Sequence, residues 1–407
     1  MKVLLIPSGD WFSQIPTRHK FMTRILASRG HEVHVLRIPT SQENSLSHHR
    51  TYGGRVHELR ASPLSDTVGG NEIFHYGTRT AAYGRFIRKI LVKDSIDVVL
   101  SANLLPSAVC AIVARMAGTP IVYDVIDYYP DFVLRYHSEG MGLKILRSIA
   151  DRVFRFNLKH ADRLIMAGRA IGDFLRDRYP ELISSKPMIV IGNGISRDMV
   201  GDGIPSTWSP NCEVASRGLR VGLVGNLEFW IDHDFIVDFY RTLKGLDPSS
   251  SMRVFGSAER LAGMKVLQKL KSELSQVSAS DGYSYEGFVP HSEIRQTLAS
   301  IDIGLIPFRT DLRIAEYASP IKLLEYLAAG VVAVATPIKE VQSGFGGVTI
   351  VDSSGSRAAR RAFALFQDSV SLAKQVTQGQ ALAASYTWES LATSLEDELR
   401  KAVPVSS

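Results

Sequence analysis

Short β-branched apolar runs alternate with longer stretches whose apolar residues recur three and four apart. In the first half of the chain the runs are VLLIP, HEVHVLRI, RVHELRA, IDVVLSA, PIVYDVI, RLIMAG and MIVIGNG; in the second they are RVGLVGN, MRVFGSA, DIGLIPF, VVAVATP and GGVTIVD. Segments such as TRHKFMTRILASRG and SEIRQTLASID lie between them with helical spacing. Strands alternating with helices predict parallel sheets with crossover helices, an α/β protein. The stretch GDGIPSTWSPNCEVASR, rich in Gly, Pro and Ser and without a period, reads as a linker. The expected organisation is therefore two doubly wound domains, 1–200 and 218–375, joined by 201–217. C-terminal helices over 376–407, ending in the amphipathic TWESLATSLEDELRK, are expected to cross back to the first domain. Open α/β sheets bind ligands beyond the carboxyl ends of their strands, so the site is expected between the domains.

Composition narrows the class. The 407 residues are 45% hydrophobic and 22% charged, the balance of a folded soluble protein. The uncharged run VVLSANLLPSAVCAIVA is divided by Asn103 and Pro106 into a strand and a helix start, which excludes a membrane span. MKVLLIPSGDW has too short an apolar run for a signal peptide and reads as a first strand. Two cysteines, Cys110 and Cys212, build neither a disulfide framework nor a zinc site, so a reducing cytoplasm is expected. The net charge of +6 is concentrated in two basic amphipathic helices, over 79–93 and 142–163. They predict either solvated helix faces or an anionic membrane surface as partner, each cation near lipid contributing about 1 kcal/mol. Nothing in them resembles a nucleic-acid module.

One stretch carries chemistry. SPIKLLEYLAAG, Ser319–Gly330, predicts a helix with Ser319 as N-cap, Pro320 at the first helical position and Gly330 closing it in a left-handed conformation. Lys322 and Glu325 share the face of the cap, and cap to glutamate spans roughly 9 Å. Two readings fit. The pair can be an exposed i,i+3 bridge beside the apolar Ile321, Leu324 and Leu327, contributing about 0.2–0.5 kcal/mol. Alternatively the helix N-terminus and Lys322 face the phosphates of a nucleotide diphosphate, with Glu325 on its ribose. Just upstream, DIGLIPFRTDLRIAEYA ends a buried strand and brings Arg309 and Arg313 toward the same helix mouth, which favours the second reading.

DIGLIPF and SPIKLLEYLAAGVVAVAT resemble the donor-binding signature of GT-B fold glycosyltransferases, close to glycosyltransferase family 4 and the bacterial polysaccharide-assembly enzymes around it. RGHEVHVL, IVYDVIDYYPDF, ADRLIMAG followed by VIGNGIS, RVGLVGNL, YEGFVPHSEI and YTWESLA agree in order and spacing across nearly the whole chain. The resemblance implies two Rossmann-like domains, the first for an acceptor and the second for a nucleotide-sugar donor. It implies a transferase that moves a sugar from a nucleotide diphosphate to a glycan or lipid-linked acceptor, with retention of configuration. Donor-binding residues are then Gly225, Asn226, Arg309, Arg313, Ser319, Pro320, Ile321, Lys322 and Glu325. The sequence departs from the family pattern twice. The family's second glutamate stands eight positions before the first, where this chain has Tyr317, with Glu316 one residue early. GNLEFWIDHDF lacks the arginine and lysine usual after the first glycine turn, and Arg309 and Arg313 are the candidates to compensate. A sugar-nucleotide epimerase of the same architecture and a non-catalytic nucleotide-sugar-binding scaffold at a membrane remain alternatives.

Other constellations fill in the acceptor side. DVIDYYPDF follows a buried strand and places Asp124 or Asp127 at its carboxyl end, where a carboxylate can orient an acceptor hydroxyl or take its proton; Asp127 is the better candidate. Arg18 and His19, at the start of the first helix beyond the Ser8–Pro16 loop, hold a comparable position. The catalytic candidates are thus Asp127, His19 and Lys322, with Arg18, Asp124 and Asp127 on the acceptor side. GLVGNL is not GxGxxG, which removes the nicotinamide reading. DHD, Asp232–Asp234, matches a DxD metal motif but begins a helix, where aspartates cap, so neither an essential metal nor another cofactor is expected. Asn193-Gly194 reads as a turn.

Overall fold

The structure, a computed structural model, describes residues 1–9, 11–12, 17–37, 52–59, 79–132, 141–200, 217–258, 261–277 and 282–404. The chain divides into two compact units, Met1–Gly192 together with Trp388–Ser407, and Asn193–Thr387. The expected linker lies outside the described residues over 201–216.

In the first unit β1 (Lys2–Ile6), α1 (Arg18–Ser28), β2 (Glu32–Arg37), β3 (Arg55–Glu58), α2 (Thr80–Lys93), β4 (Val98–Ser101) and α3 (Leu105–Ala117) follow one another. After them come β5 (Ile121–Val125), α4 (Tyr129–Phe132), α5 (Met141–His160), β6 (Arg163–Met166), α6 (Arg169–Arg178), α7 (Pro180–Ile183) and β7 (Met188–Val190). The seven strands pair in parallel in the order β3-β2-β1-β4-β5-β6-β7. Strand order reverses between β1 and β4, the position at which a doubly wound sheet opens a crevice at its carboxyl edge. Strands β4 and β5 are buried throughout, which is why VVLS and IVYDV read as largely apolar runs, with Ser101 and Asp124 as the buried polar exceptions. Pro106 sits in the first turn of α3, where its missing N–H costs nothing. Among the described residues no helix is long and apolar enough to cross a membrane.

The second unit repeats the plan with β8 (Arg220–Val224), α8 (His233–Leu246), β9 (Ser251–Phe255), α9 (Leu261–Val277), β10 (Tyr283–Gly287), α10 (Ile294–Ala299) and β11 (Ile303–Ile306). It continues with α11 (Ile321–Ala328), β12 (Val332–Ala335), α12 (Lys339–Gly344), β13 (Ile350–Val351), α13 (Gly355–Gln367) and α14 (Ser369–Ala384). Six strands pair in parallel in the order β10-β9-β8-β11-β12-β13, reversing between β8 and β11. The strand β10 is absent from the sequence-based expectation. Its YSYEG is an edge segment, partly exposed along its length, with no apolar run to announce it.

The last helix, α15 (Trp388–Ala402), belongs to the first unit. Trp388, Ala392, Leu395 and Leu399 recur at helical spacing and enter the core beside β1, β4 and α1, and Trp388 stacks on Phe21 with centroids 5.6 Å apart. The return begins at Trp388, whereas α14 stays in the second unit against α11.

Candidate active site

In the second unit the carboxyl end of β8 meets the first turn of α11. The Val224 N–H donates to the Tyr326 hydroxyl at 3.0 Å, and the Tyr326 ring lies over Gly304 of β11, where an added methyl would come within 2.6 Å of it. Helix α11 is thereby pinned across both strands at the reversal point. Gly225 follows with φ +140, and a methyl there would stand 3.9 Å from Lys322 Cγ. Gly256, φ +154, abuts it so closely that a methyl would fall 1.8 Å from the Gly225 carbonyl oxygen. Glycine at both positions lets the ends of β8 and β9 converge beside Lys322.

The helix starts later than its sequence predicts. Pro320, ψ 108, is the cap residue and Ile321 opens the helix, so Ser319 is not the N-cap and makes no capping bond. The reason is tertiary: Asn193 Nδ2 donates to the Ser319 carbonyl at 2.9 Å, holding Ser319 outside the helix. Lys322 remains in the first turn. Its Nζ donates to Glu325 Oε2 at 2.7 Å, with the Lys322 side chain 25% exposed and that of Glu325 only 4%. The exposed surface pair is thus excluded; Glu325 is a buried carboxylate held against a lysine at the site mouth. Gly330, φ 77, follows the helix in the left-handed conformation expected. Glu316 is exposed in a 3₁₀ turn, whereas Tyr317 is fully buried.

Arg309 is engaged locally. Its guanidinium bonds Asp311 twice, at 3.1 and 2.5 Å, and the Asp311 carboxylate raises its pKa. To serve a phosphate it must leave that partner. Arg313 lies in the 3₁₀ turn Arg313–Glu316 before α11. Asn226 follows Gly225 in an exposed position. Sequence reasoning did not single out the next residues: Glu228 is buried, Trp230 stacks on Phe308 with centroids 6.4 Å apart, and Ile231 bridges Phe308 in antiparallel pairing. GNLEFW and the segment after β11 thus form one aromatic lip, whose only sequence signal is the pair of aromatics in EFW. Asp232 caps α8, accepting from the Phe235 N–H at 3.0 Å, while Asp234 is 80% exposed beside His233.

In the first unit Arg18, His19 and Asp124 are brought together, but inside. Asp124 Oδ2 lies 3.0 Å from both Arg18 Nε and His19 Nε2, and all three residues are at most 5% exposed. Arg18 also donates to the Ile191 carbonyl at 2.9 Å. Burial lowers the Arg18 pKa and Asp124 opposes that shift. The expectation that Asp124 projects outward from the strand's carboxyl end is corrected: it is the fourth residue of β5, and the first turn of α1 covers it. Asp127, two residues beyond the strand, is the half-buried carboxylate, within electrostatic reach of Arg18. Asn103 fastens the rim here, donating to the Pro7 and Ser8 carbonyls at 3.1 and 3.3 Å, and Tyr129 donates to the Ala102 carbonyl. An asparagine closing an apolar strand was the available signal for that role.

Residues 21–194 match the glycosyl transferase 4-like domain, and residues 218–368 match glycosyl transferases group 1. No curated protein matches the sequence. Among solved structures, sucrose-phosphate synthase from Thermosynechococcus elongatus superposes with a TM-score of 0.78 at 13% identity, over 98% of each chain. Anabaena Alr3699/HepE, in complex with UDP, gives 0.68 at 15% identity over 98% of this chain and 100% of that one. Alpha,alpha-trehalose 6-phosphate synthase from Burkholderia multivorans gives 0.67 at 11% identity over 98% of each. At these identities the likeness is one of fold.

Proposed function

The chain belongs to the group 1 glycosyltransferases of GT-B fold, and from that premise we propose that it transfers a sugar from a nucleotide diphosphate held by the second unit to a glycan or lipid-linked acceptor bound by the first. The observation that carries the donor half is the junction of β8 and α11. Two glycine-bearing turns admit a ligand's backbone-close approach, and Lys322 stands beside them on the first turn of a helix.

Chemistry in such a site is positioning and charge stabilisation, because a nucleoside diphosphate leaves as an anion. Lys322 offers three N–H donors, of which Glu325 takes one, and the others reach diphosphate oxygens together with the first-turn amides. Glu325 fixes the ammonium and shares its carboxylate with the ribose hydroxyls; Ser319, Pro320 and Ile321 line the diphosphate, with Gly225 and Asn226 opposite. Arg313, and Arg309 once released from Asp311, add charge. Asp127 orients the acceptor hydroxyl and takes its proton. Arg18, His19 and Asp124 act as a buried positioning cluster behind it. The reading includes retention at the transferred sugar, which rests on the family resemblance, and metal independence, with which the capping role of Asp232 in the DHD run agrees.

The surface of the first unit supports the reading of the acceptor class. Val92, Ile112, Met116, Ile145 and Ile149 are exposed on α2, α3 and α5, successive neighbours in packing, among the exposed Arg85, Arg88, Lys89, Lys93 and Lys144. Apolar side chains set among cations suit a peripheral seat on an anionic inner membrane face, where lipid-linked acceptors reside.

The test is thermal denaturation in a panel of nucleoside diphosphates and nucleotide sugars, beginning with UDP and UDP-glucose because Alr3699/HepE was solved with both. A ligand at one hundred times its dissociation constant stabilises by about 2.7 kcal/mol. Lys322→Ala should remove the shift. A panel that moves neither protein would sink the donor assignment.

A further inference from the structure

The first unit holds a cluster that sugar transfer does not use. At the edge of its sheet His34 of β2, His57 of β3 and Asp94, which follows α2, converge. His34 Nδ1 lies 2.8 Å from His57 Nε2, and Asp94 Oδ2 lies 3.9 Å from the first and 4.0 Å from the second. The side chains are 0%, 14% and 12% exposed respectively. On its far side His34 Nε2 meets Glu32 Oε1 at 2.8 Å.

Two imidazole nitrogens and a carboxylate oxygen aimed at one another enclose either a shared proton or a cation. We propose that His34, His57 and Asp94 bind a zinc ion that clips the edge strand β3 to β2 and to the end of α2. Zinc bonds of about 2.0–2.1 Å place tetrahedral ligand atoms roughly 3.3 Å apart, between the short and the two long separations found here. Metal entry therefore needs the rings to part and Asp94 to close by about half an ångström, small motions for side chains at a sheet edge. Two neutral nitrogens and one oxygen are a borderline donor set suited to zinc, and water completes a three-residue site. The Glu32 carboxylate behind His34 is the outer partner that fixes the tautomer of a ligating imidazole. Cations stand around the site without filling it: Arg55 is 3.5 Å from Asp94 Oδ1, and Lys2 Nζ donates to the Asp94 carbonyl at 3.0 Å and lies 3.8 Å from Glu32. The gain is local. Strand β3 has only four residues, with Arg55 exposed and the other three half-buried, so a metal bond replaces contacts its short edge lacks.

The untagged full chain, stripped with a chelator and dialysed, is titrated with zinc and, in parallel, with cobalt. One zinc per chain, a raised thermal midpoint and the visible absorption of tetrahedral cobalt are expected. His57→Gln should abolish all three, and Glu32→Gln, which leaves every ligand in place, should weaken zinc binding roughly ten- to hundredfold. Nucleotide-induced stabilisation should persist in both variants, which separates this site from the donor site. A wild-type chain whose midpoint and cobalt spectrum do not respond overturns the proposal. So does undiminished binding by His57→Gln, which would put the ion elsewhere, for instance at His233, Asp234 and Glu273.

Discussion

Burial separates two carboxylates that stand three residues apart in sequence. Asp124 has an arginine and a histidine at 3.0 Å and no exposed surface, so its charge is committed to holding α1 on β5. Asp127 lies beyond the strand and keeps part of its surface. Asp127→Asn should lower kcat by about 10²–10⁴-fold, the usual worth of a positioned base, while leaving nucleotide-induced stabilisation intact. Asp124→Asn should instead lower the thermal midpoint, because removing one partner of a buried pair costs about 3–5 kcal/mol. Wild-type turnover in Asp127→Asn would exclude it as the base. The same logic reads Lys322 and Glu325: spacing alone allowed a surface bridge, and only the burial of Glu325 distinguishes the two cases.

At the scale of elements, α11 shows why a motif can be read correctly and its boundary missed. Ser, Pro, Lys and Glu announce a helix, but its start depends on Asn193, 126 residues away, which takes the Ser319 carbonyl. Its placement depends on Tyr326 and Gly304, which sequence reasoning passed over because a tyrosine on an apolar helix face and a glycine in a strand are unremarkable until one is seen to cover the other. The alternating apolar runs, by contrast, made twelve of the strands legible, in the inner strands because burial on both faces leaves an unbroken hydrophobic signature. Helices α2 and α5 carry their own prediction. The chain should co-float with vesicles rich in anionic lipid and be released by salt, and replacing Arg88, Lys89 and Lys93 by glutamine should reduce flotation without altering the thermal midpoint. Equal flotation with neutral vesicles would rule out the electrostatic seat.

The molecule as a whole is discontinuous, since α15 returns to a unit that the chain left at Gly192. One carboxylate helps to hold the return. Glu396 of α15 meets Arg29 at 3.0 Å, His31 at 3.2 Å and Arg400 at 2.6 Å, and these partners, Arg400 foremost, bring its pKa down to about 2 from the ordinary 4.5. A folded-state value below the unfolded one means that its contribution is complete above about pH 4.5 and is lost as the pH falls toward 2. Thermal midpoints of the wild type should therefore exceed those of Glu396→Gln at neutral pH, and the two should converge in acid. A constant gap across that window would show that the ion pairs contribute nothing.

The sequence by itself determined the class of most elements, the doubly wound plan of both units and the choice of Gly225, Lys322, Glu325 and Asp127 as candidates, because hydrophobic period, glycine turns and short motifs are local properties of the chain. Tertiary structure alone decided that Asp124, Arg18 and His19 face inward, that α11 begins after Pro320, that α14 and α15 part company at Trp388, and that His34, His57 and Asp94 meet. Each of those outcomes depends on which distant residue removes a side chain from water or takes its hydrogen bond, and no window of sequence contains both partners.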